Sequence, residues 1–226
     1  MSVFCWDFDG TLVWSEHLWS GSVRQALHET LPDYKVAFSK IREQMATGFT
    51  WHTPECDYSQ MTGDKWWDFM NEAIFTRYMN LGLTRQQASD ATAKVHSIIK
   101  RTENYNLFED TVQVLRTAKD KGHTNVLLTN NYPDLADVLD ALGLISLFDR
   151  VIISALVGYD KPRQEIFSFA KADFSTDEHF FMVGDNVTAD IYGGNTAGMT
   201  TILVHKGYDE KADYCFDNLN EIIKLM

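Results

Sequence analysis

From about Leu107 to Met226 the chain alternates short apolar runs with amphipathic helical segments, a rhythm that few architectures accommodate. Val112 to Lys121 predicts a helix stopped at Gly122, and Asn125 to Leu128 predicts a strand ending at Thr129. Asp134 to Leu142 predicts a helix closed by Gly143, followed by a strand at Arg150 to Ile153. A helix near Gln164 to Ala172 leads into a strand at Phe180 to Val183 that ends at Gly184-Asp185. Thr201 to Val204 predicts another strand, and Leu219 to Leu225 a terminal helix. Strands separated by helices pair in parallel, so the expected class is α/β, a parallel sheet with helices on both faces.

The first strand of that sheet stands apart from the rest. Val3 to Trp6 is an apolar run that stops at Asp7, with a turn at Gly10. Ser15 to about Leu31 predicts a helix ended by Pro32-Asp33, and helical signals continue to about Asn106 with few strand signals. Thr84-Arg85-Gln86-Gln87 has a capping-box pattern, opening a helix with Ala88, Ala91, Val95, Ile98 and Ile99 on one face. Gly48 to Gly63 reads as an irregular loop. Trp66 and Trp67 are expected to pack helix against helix, since adjacent residues face different directions and make no single stacking platform. The expected organisation is therefore a core of residues 1–14 and 107–226, interrupted by a helical domain over 15–106.

Composition sets limits on partners. The 226 residues carry a formal charge of −12, Asp+Glu 32 against Lys+Arg 20, and no basic run, which argues against a nucleic-acid partner. Cys5, Cys56 and Cys215 have no metal or disulfide spacing, and no stretch suits a membrane span. The N-terminus shows no basic leader, so a cytoplasmic protein without membrane contact is the expectation. Oligomeric state is unreadable from these features.

Ligands of an open parallel sheet bind beyond the carboxyl ends of its strands. Asp7, Thr129 and Asp185 stand at such ends, and Lys161 follows a fourth strand after a loop. All four should converge on one crevice. Asp7 and Asp9 place two carboxylates one residue apart where the chain leaves the sheet, and two acids near one reacting centre divide naturally into nucleophile and acid/base. Asp-Gly alone is a common turn signal, and taken singly a Lys-Pro pair or a polar strand end is more often structural.

Asp7-Phe8-Asp9-Gly10-Thr11-Leu12-Val13 resembles the first motif of the haloacid dehalogenase superfamily. Leu127-Leu128-Thr129-Asn130 resembles its second, Lys161-Pro162 its third, and Gly184-Asp185-Asn186-Val187-Thr188-Ala189-Asp190 its fourth. The resemblance spans the core and implies a Rossmann-like fold with a helical cap inserted after the first strand. It implies a Mg²⁺-dependent phosphatase in which Asp7 attacks phosphorus and becomes an aspartyl phosphate. Asp7, Asp185 and the backbone carbonyl of Asp9 would ligate Mg²⁺, with Asp190 supporting the site. Asp9 would act as acid and then base, Lys161 would neutralise charge, and Thr129 with the Asn130 amide would donate to phosphoryl oxygens.

Two positions depart from the family pattern. Trp14 stands where an acid is frequent, and Asn186 follows Asp185 in place of a second acid. A cap of this size implies a small-molecule phosphate ester as substrate. Candidate contacts to it lie at Trp14, His17, Trp19 and Arg24, and at Thr47, Gly48, Trp51 and His52. The competing readings are a haloacid dehalogenase, a phosphosugar mutase and a non-catalytic phosphate-binding protein. A halide leaving group needs neither an acid such as Asp9 nor a metal, and an intact set of site residues argues against a degenerate fold.

Overall fold

The computed structural model describes residues 1–175 and 177–226. Its strands are β1 (Ser2–Trp6), β2 (Val13–Trp14), β3 (Asn106–Leu107), β4 (Thr124–Thr129), β5 (Arg150–Ile153), β6 (His179–Gly184), β7 (Thr200–Val204) and β8 (Tyr214–Phe216). The helices α1 (Leu18–Thr30), α2 (Phe38–Gln44), α3 (Asp64–Asn80) and α4 (Arg85–Ile99) lie between β2 and β3. Those of the second part are α5 (Thr111–Asp120), α6 (Leu135–Ala141), α7 (Ser154–Val157), α8 (Gln164–Lys171) and α9 (Gly193–Thr196).

Six strands form one sheet in the order β5-β4-β1-β6-β7-β8, every neighbouring pair parallel. The fold is thus the expected α/β class, a Rossmann-like parallel sheet with helices on both faces and an all-helical insertion. Central β1 is apolar from Val3 to Trp6 because both of its faces are covered: Val3, Phe4, Cys5 and Trp6 are all buried. One polar residue is admitted to this core with every partner supplied. Asn125 accepts from Trp6 Nε1 at 3.0 Å and donates to the carbonyls of Leu115 and Leu147 at 2.8 and 3.0 Å.

β2 and β3 form a separate antiparallel pair, Val13 opposite Leu107 and Trp14 opposite Asn106, where the chain leaves for the insertion and returns. Two-residue strands carry too little periodicity to be legible in sequence. Within the insertion α4 opens as predicted, with Thr84 Oγ1 accepting from the Gln87 amide at 3.4 Å and Gln87 Oε1 accepting from the Thr84 amide at 3.0 Å. Its buried face of Ala88, Ala91, Val95, Ile98 and Ile99 packs on α1 and α3. The buried Tyr78 hydroxyl ties α3 to α1 through the Val23 carbonyl at 2.7 Å.

Several details differ from expectation. α1 starts at Leu18 and not Ser15, because His17 turns into the left-handed region at φ 62°. The expected loop contains a short 3₁₀ turn, Thr50–His52. The terminal helix Leu219–Leu225 is 3₁₀, and β8 adds an unpredicted edge strand. Trp66 and Trp67 do meet one another, edge to face with ring centres 5.2 Å apart, so neighbouring indoles share one cluster without stacking. The insertion is fastened to the core by Tyr58 N–H to the Gly158 carbonyl (3.1 Å), Gly63 N–H to Ala155 (3.0 Å) and Trp67 Nε1 to Asp134 Oδ2 (2.5 Å). Among the described residues, no helix is long and apolar enough to cross a membrane.

Candidate active site

The carboxyl ends of β1, β4 and β6 bring their terminal residues to one cavity of about 620 Å³. Asp7 keeps its amide in the sheet ladder, donating to the Val183 carbonyl at 2.9 Å, and this fixes where its side chain leaves the strand. The turn at Gly10 has φ 84°, and any side chain there would collide with the Asp185 carboxylate. A side chain at Gly184 would likewise overlap the carboxylate of Asp190. Both glycines are required by acids that approach the backbone closely.

Lys161 is the electrostatic centre of the cluster. Its ammonium, 2% exposed as a residue, donates to Asp7 Oδ1 at 2.8 Å and to Asp190 Oδ1 at 2.6 Å. Asp190 lies at the start of a π-helical turn, Val187–Tyr192, opened by Asn186 Oδ1 accepting from the amides of Thr188 and Ala189. Its second oxygen accepts from the Asn186 amide at 3.0 Å. Burial alone would depress the lysine, but the carboxylates of Asp190 and Asp7 outweigh it and hold the ammonium above the ordinary lysine range. Burial pushes the Asp190 carboxyl up to about 7, against the pull of Lys161.

Asp9 sits in a different environment. Asn131 Nδ2 donates to its Oδ2 at 2.7 Å. Burial, then the charge of Asp7, lifts the Asp9 carboxyl from 3.8 to about 7, with the Asn131 hydrogen bond working against both. Asp185 is raised by burial and by Asp7, while Lys206, whose Nζ lies 3.1 Å from Asp185 Oδ2, counters the shift.

Asp7, Asp185 and Asp190 each offer a carboxylate oxygen, and those three oxygens lie within 4.8 Å of one another. An all-oxygen, all-anionic donor set is the chemistry of a hard divalent cation, and the group can hold a metal ion.

Of the residues singled out in the sequence, Asp7, Asp9, Thr129, Asn130, Lys161, Asp185 and Asp190 line the cavity, as do Trp14, Trp19 and Trp51. His17, Gly48 and His52 do not. His17 and His52 line an adjoining depression of about 550 Å³ on the insertion, which shares Leu18, Trp19 and Trp51 with the cavity but none of the carboxylates. The His17 ring packs edge-on against Phe38, and the exposed His52 ring accepts from the Phe49 amide in its 3₁₀ turn. Gly48 makes a left-handed turn, φ 85°, beside the Arg77 guanidinium, which itself holds the Thr47 carbonyl. Arg24 lies over the Phe38 ring, away from the site.

Three cavity residues escaped the sequence reading. Asn131 orients Asp9, Lys206 pairs with Asp185, and Ser15 is a lining residue. Lys206 stands two residues beyond β7, so the strand-end rule that found the others would have found it too. Asn130 was singled out for its backbone amide, yet its side chain clamps Lys161, accepting from the lysine amide at 2.7 Å and donating to its carbonyl at 3.0 Å.

The sheet, the insertion after its first strand and this carboxylate–lysine cluster define a haloacid dehalogenase-like hydrolase. The family model of that description matches residues 1–198, and the chain belongs to the family. The sequence is similar to a phosphoserine phosphatase from Thermus thermophilus, 34% identical over 113 residues that cover 49% of this chain and 45% of that protein. The chain thus spans about half the length of that relative. It is also similar to the pyrimidine 5′-nucleotidase YjjG of Escherichia coli, 25% identical over 183 residues, 75% of this chain and 81% of that one. The fold matches that of a HAD phosphatase from Thermococcus onnurineus with a TM-score of 0.70 at 22% identity, covering 100% of this chain and 97% of the other.

Proposed function

We propose that the chain is a Mg²⁺-dependent phosphatase that hydrolyses a small-molecule phosphate monoester through an aspartyl phosphate on Asp7. The observation that carries this reading is the buried Lys161 ammonium shared by Asp7 and Asp190, beside an Asp9 carboxyl near neutrality. Residues 15–106 then serve as a cap over a catalytic core of 1–14 and 107–226, closing the cavity to water. Relatives named for phosphoserine and pyrimidine nucleotides support a small phosphate ester as the substrate.

Lys161 holds one Asp7 oxygen, orienting the carboxylate and placing positive charge where phosphoryl oxygens arrive. Thr129 and the Asn130 amide donate to those oxygens. Asp7 attacks phosphorus as the ester P–O bond breaks, and protonated Asp9 gives its proton to the departing oxygen. Asp9 then accepts a proton from the water that attacks the aspartyl phosphate, the bond to Asp7 breaks, and inorganic phosphate leaves. A group titrating near 7 suits both roles, since each protonation state is accessible at neutral pH. Asp7, Asp185 and the Asp9 carbonyl, supported by Asp190, would hold Mg²⁺, whose charge lets a dianionic phosphate approach a carboxylate.

Hydrolysis of p-nitrophenyl phosphate tests the reading directly. Turnover is expected with MgCl₂ and should fall to background with EDTA; no metal-dependent hydrolysis across a wide panel of phosphomonoesters would sink it. Asp9→Asn is expected to slow both formation and breakdown of the intermediate, each by about 10²- to 10⁴-fold. Single-turnover kinetics separates the two steps, and an effect on one alone would remove the dual role.

A further inference from the structure

The two walls of the cavity differ in chemistry. Every charged side chain lining it, among the described residues, comes from the sheet side: Asp7, Asp9, Lys161, Asp185, Asp190 and Lys206. The opposing wall is made by Trp14, Leu18, Trp19, Trp51 and Pro54, with Ser15 among them. This wall therefore presents rings and no charge to whatever is attached to the phosphate. Part of that wall is fixed in advance. Trp51 stacks on Phe49 with ring centres 4.6 Å apart and planes 13° from parallel, and Trp19 packs on Phe49, Trp66, Trp67 and Tyr132. Rings held in this way lose little freedom when a ligand packs on them.

We propose that the leaving group is an uncharged, flat ring system packed against Trp14, Trp19 and Trp51. This inference rests on the phosphatase reading and narrows it. An anionic leaving group would be desolvated against ring faces that offer it no counter-charge, so carboxylate-bearing esters should be poor substrates. The ring could come from a nucleoside or from a simple aryl alcohol, which share this chemistry. Lys206 does not supply the missing charge, because its ammonium is paired with Asp185 at the phosphate end.

The experiment compares kcat/KM within pairs that differ only in the ring: uridine 5′-monophosphate against ribose 5-phosphate, and benzyl phosphate against propyl phosphate. Each ring compound is expected to exceed its partner by about tenfold or more, the scale of one stacked ring. Phosphoglycolate and phosphoserine should fall below propyl phosphate. A larger ratio in the nucleotide pair assigns the ring to a nucleoside, and a larger ratio in the benzyl pair assigns it to an aryl alcohol. Trp14 is half-exposed, so Trp14→Leu should keep the fold yet shrink the ring ratio, and Trp14→Phe should restore it. Equal turnover with and without the ring, or a preference for phosphocholine, overturns the inference and leaves the phosphatase reading intact. If nothing is hydrolysed, tryptophan fluorescence titration of the wild-type chain still decides: uridine 5′-monophosphate should bind about tenfold tighter than ribose 5-phosphate, and equal affinities overturn the proposal.

Discussion

Asp7→Asn is expected to abolish turnover, by about 10⁵-fold or more, while leaving a folded chain. The amide keeps the shape of the carboxylate but is a far weaker nucleophile, and the reaction then has no covalent route. The fold should tolerate the change because Lys161, the buried cation that Asp7 partners, retains Asp190 at 2.6 Å. Asp7 also raises its neighbours: its charge stands second only to burial among the causes that lift Asp9 and Asp185. Removing that charge should lower both carboxyls toward the ordinary range. A carboxyl raised in the folded state contributes stability below its unfolded value and loses it as pH rises through the folded one. The metal-free variant should therefore be relatively more stable than the wild type at pH 8 than at pH 5. Phosphate incorporation into denatured enzyme, steady-state rates and urea midpoints at both pH values check the three statements. Activity above about one per cent of wild type would exclude the covalent route.

The parts of this architecture written in local sequence were legible before the structure. β1 is announced by four consecutive apolar residues, α4 by a capping box and a one-sided apolar face, and the site by polar residues that follow strand ends. The contribution of Asn131 depends on which side chains meet across the sheet, and spacing along the chain does not encode that. Asn131 reaches Asp9 across 122 positions of sequence. The insertion was harder to read for the same reason. His17 adopts a left-handed backbone at φ 62°, which a non-glycine residue does not announce in sequence. His52 is consumed by capping its own turn. The tryptophans that do line the cavity are ordinary cluster residues on their inner side, so only the shape of the wall distinguishes Trp51 from Trp66.

Lys161→Met is expected to damage stability and activity together, with a pH signature that a simple packing defect would not produce. Methionine is close in length and fills the space, so the loss is that of the ammonium. Two buried carboxylates, Asp7 and Asp190, would then face each other without their shared cation. Breaking a buried ion pair by removing one partner costs about 3–5 kcal/mol. The pH dependence follows from Asp190, whose carboxyl already stands near 7 against an ordinary 3.8, even with Lys161 pulling it down. Without that pull it rises further and takes up a proton instead of a partner. At pH 5 the protonated acid relieves most of the repulsion and the cost is small. As pH rises through 7 the proton is lost and the full penalty returns. Urea midpoints of wild type and variant should therefore diverge between pH 5 and pH 8. The kcat/KM for p-nitrophenyl phosphate should fall by about 10²- to 10³-fold, the scale for losing one preorganised electrostatic contact to a developing charge. A stability loss equal at both pH values would mean that Lys161 acts by packing alone. Near-wild-type activity would remove it from phosphoryl stabilisation.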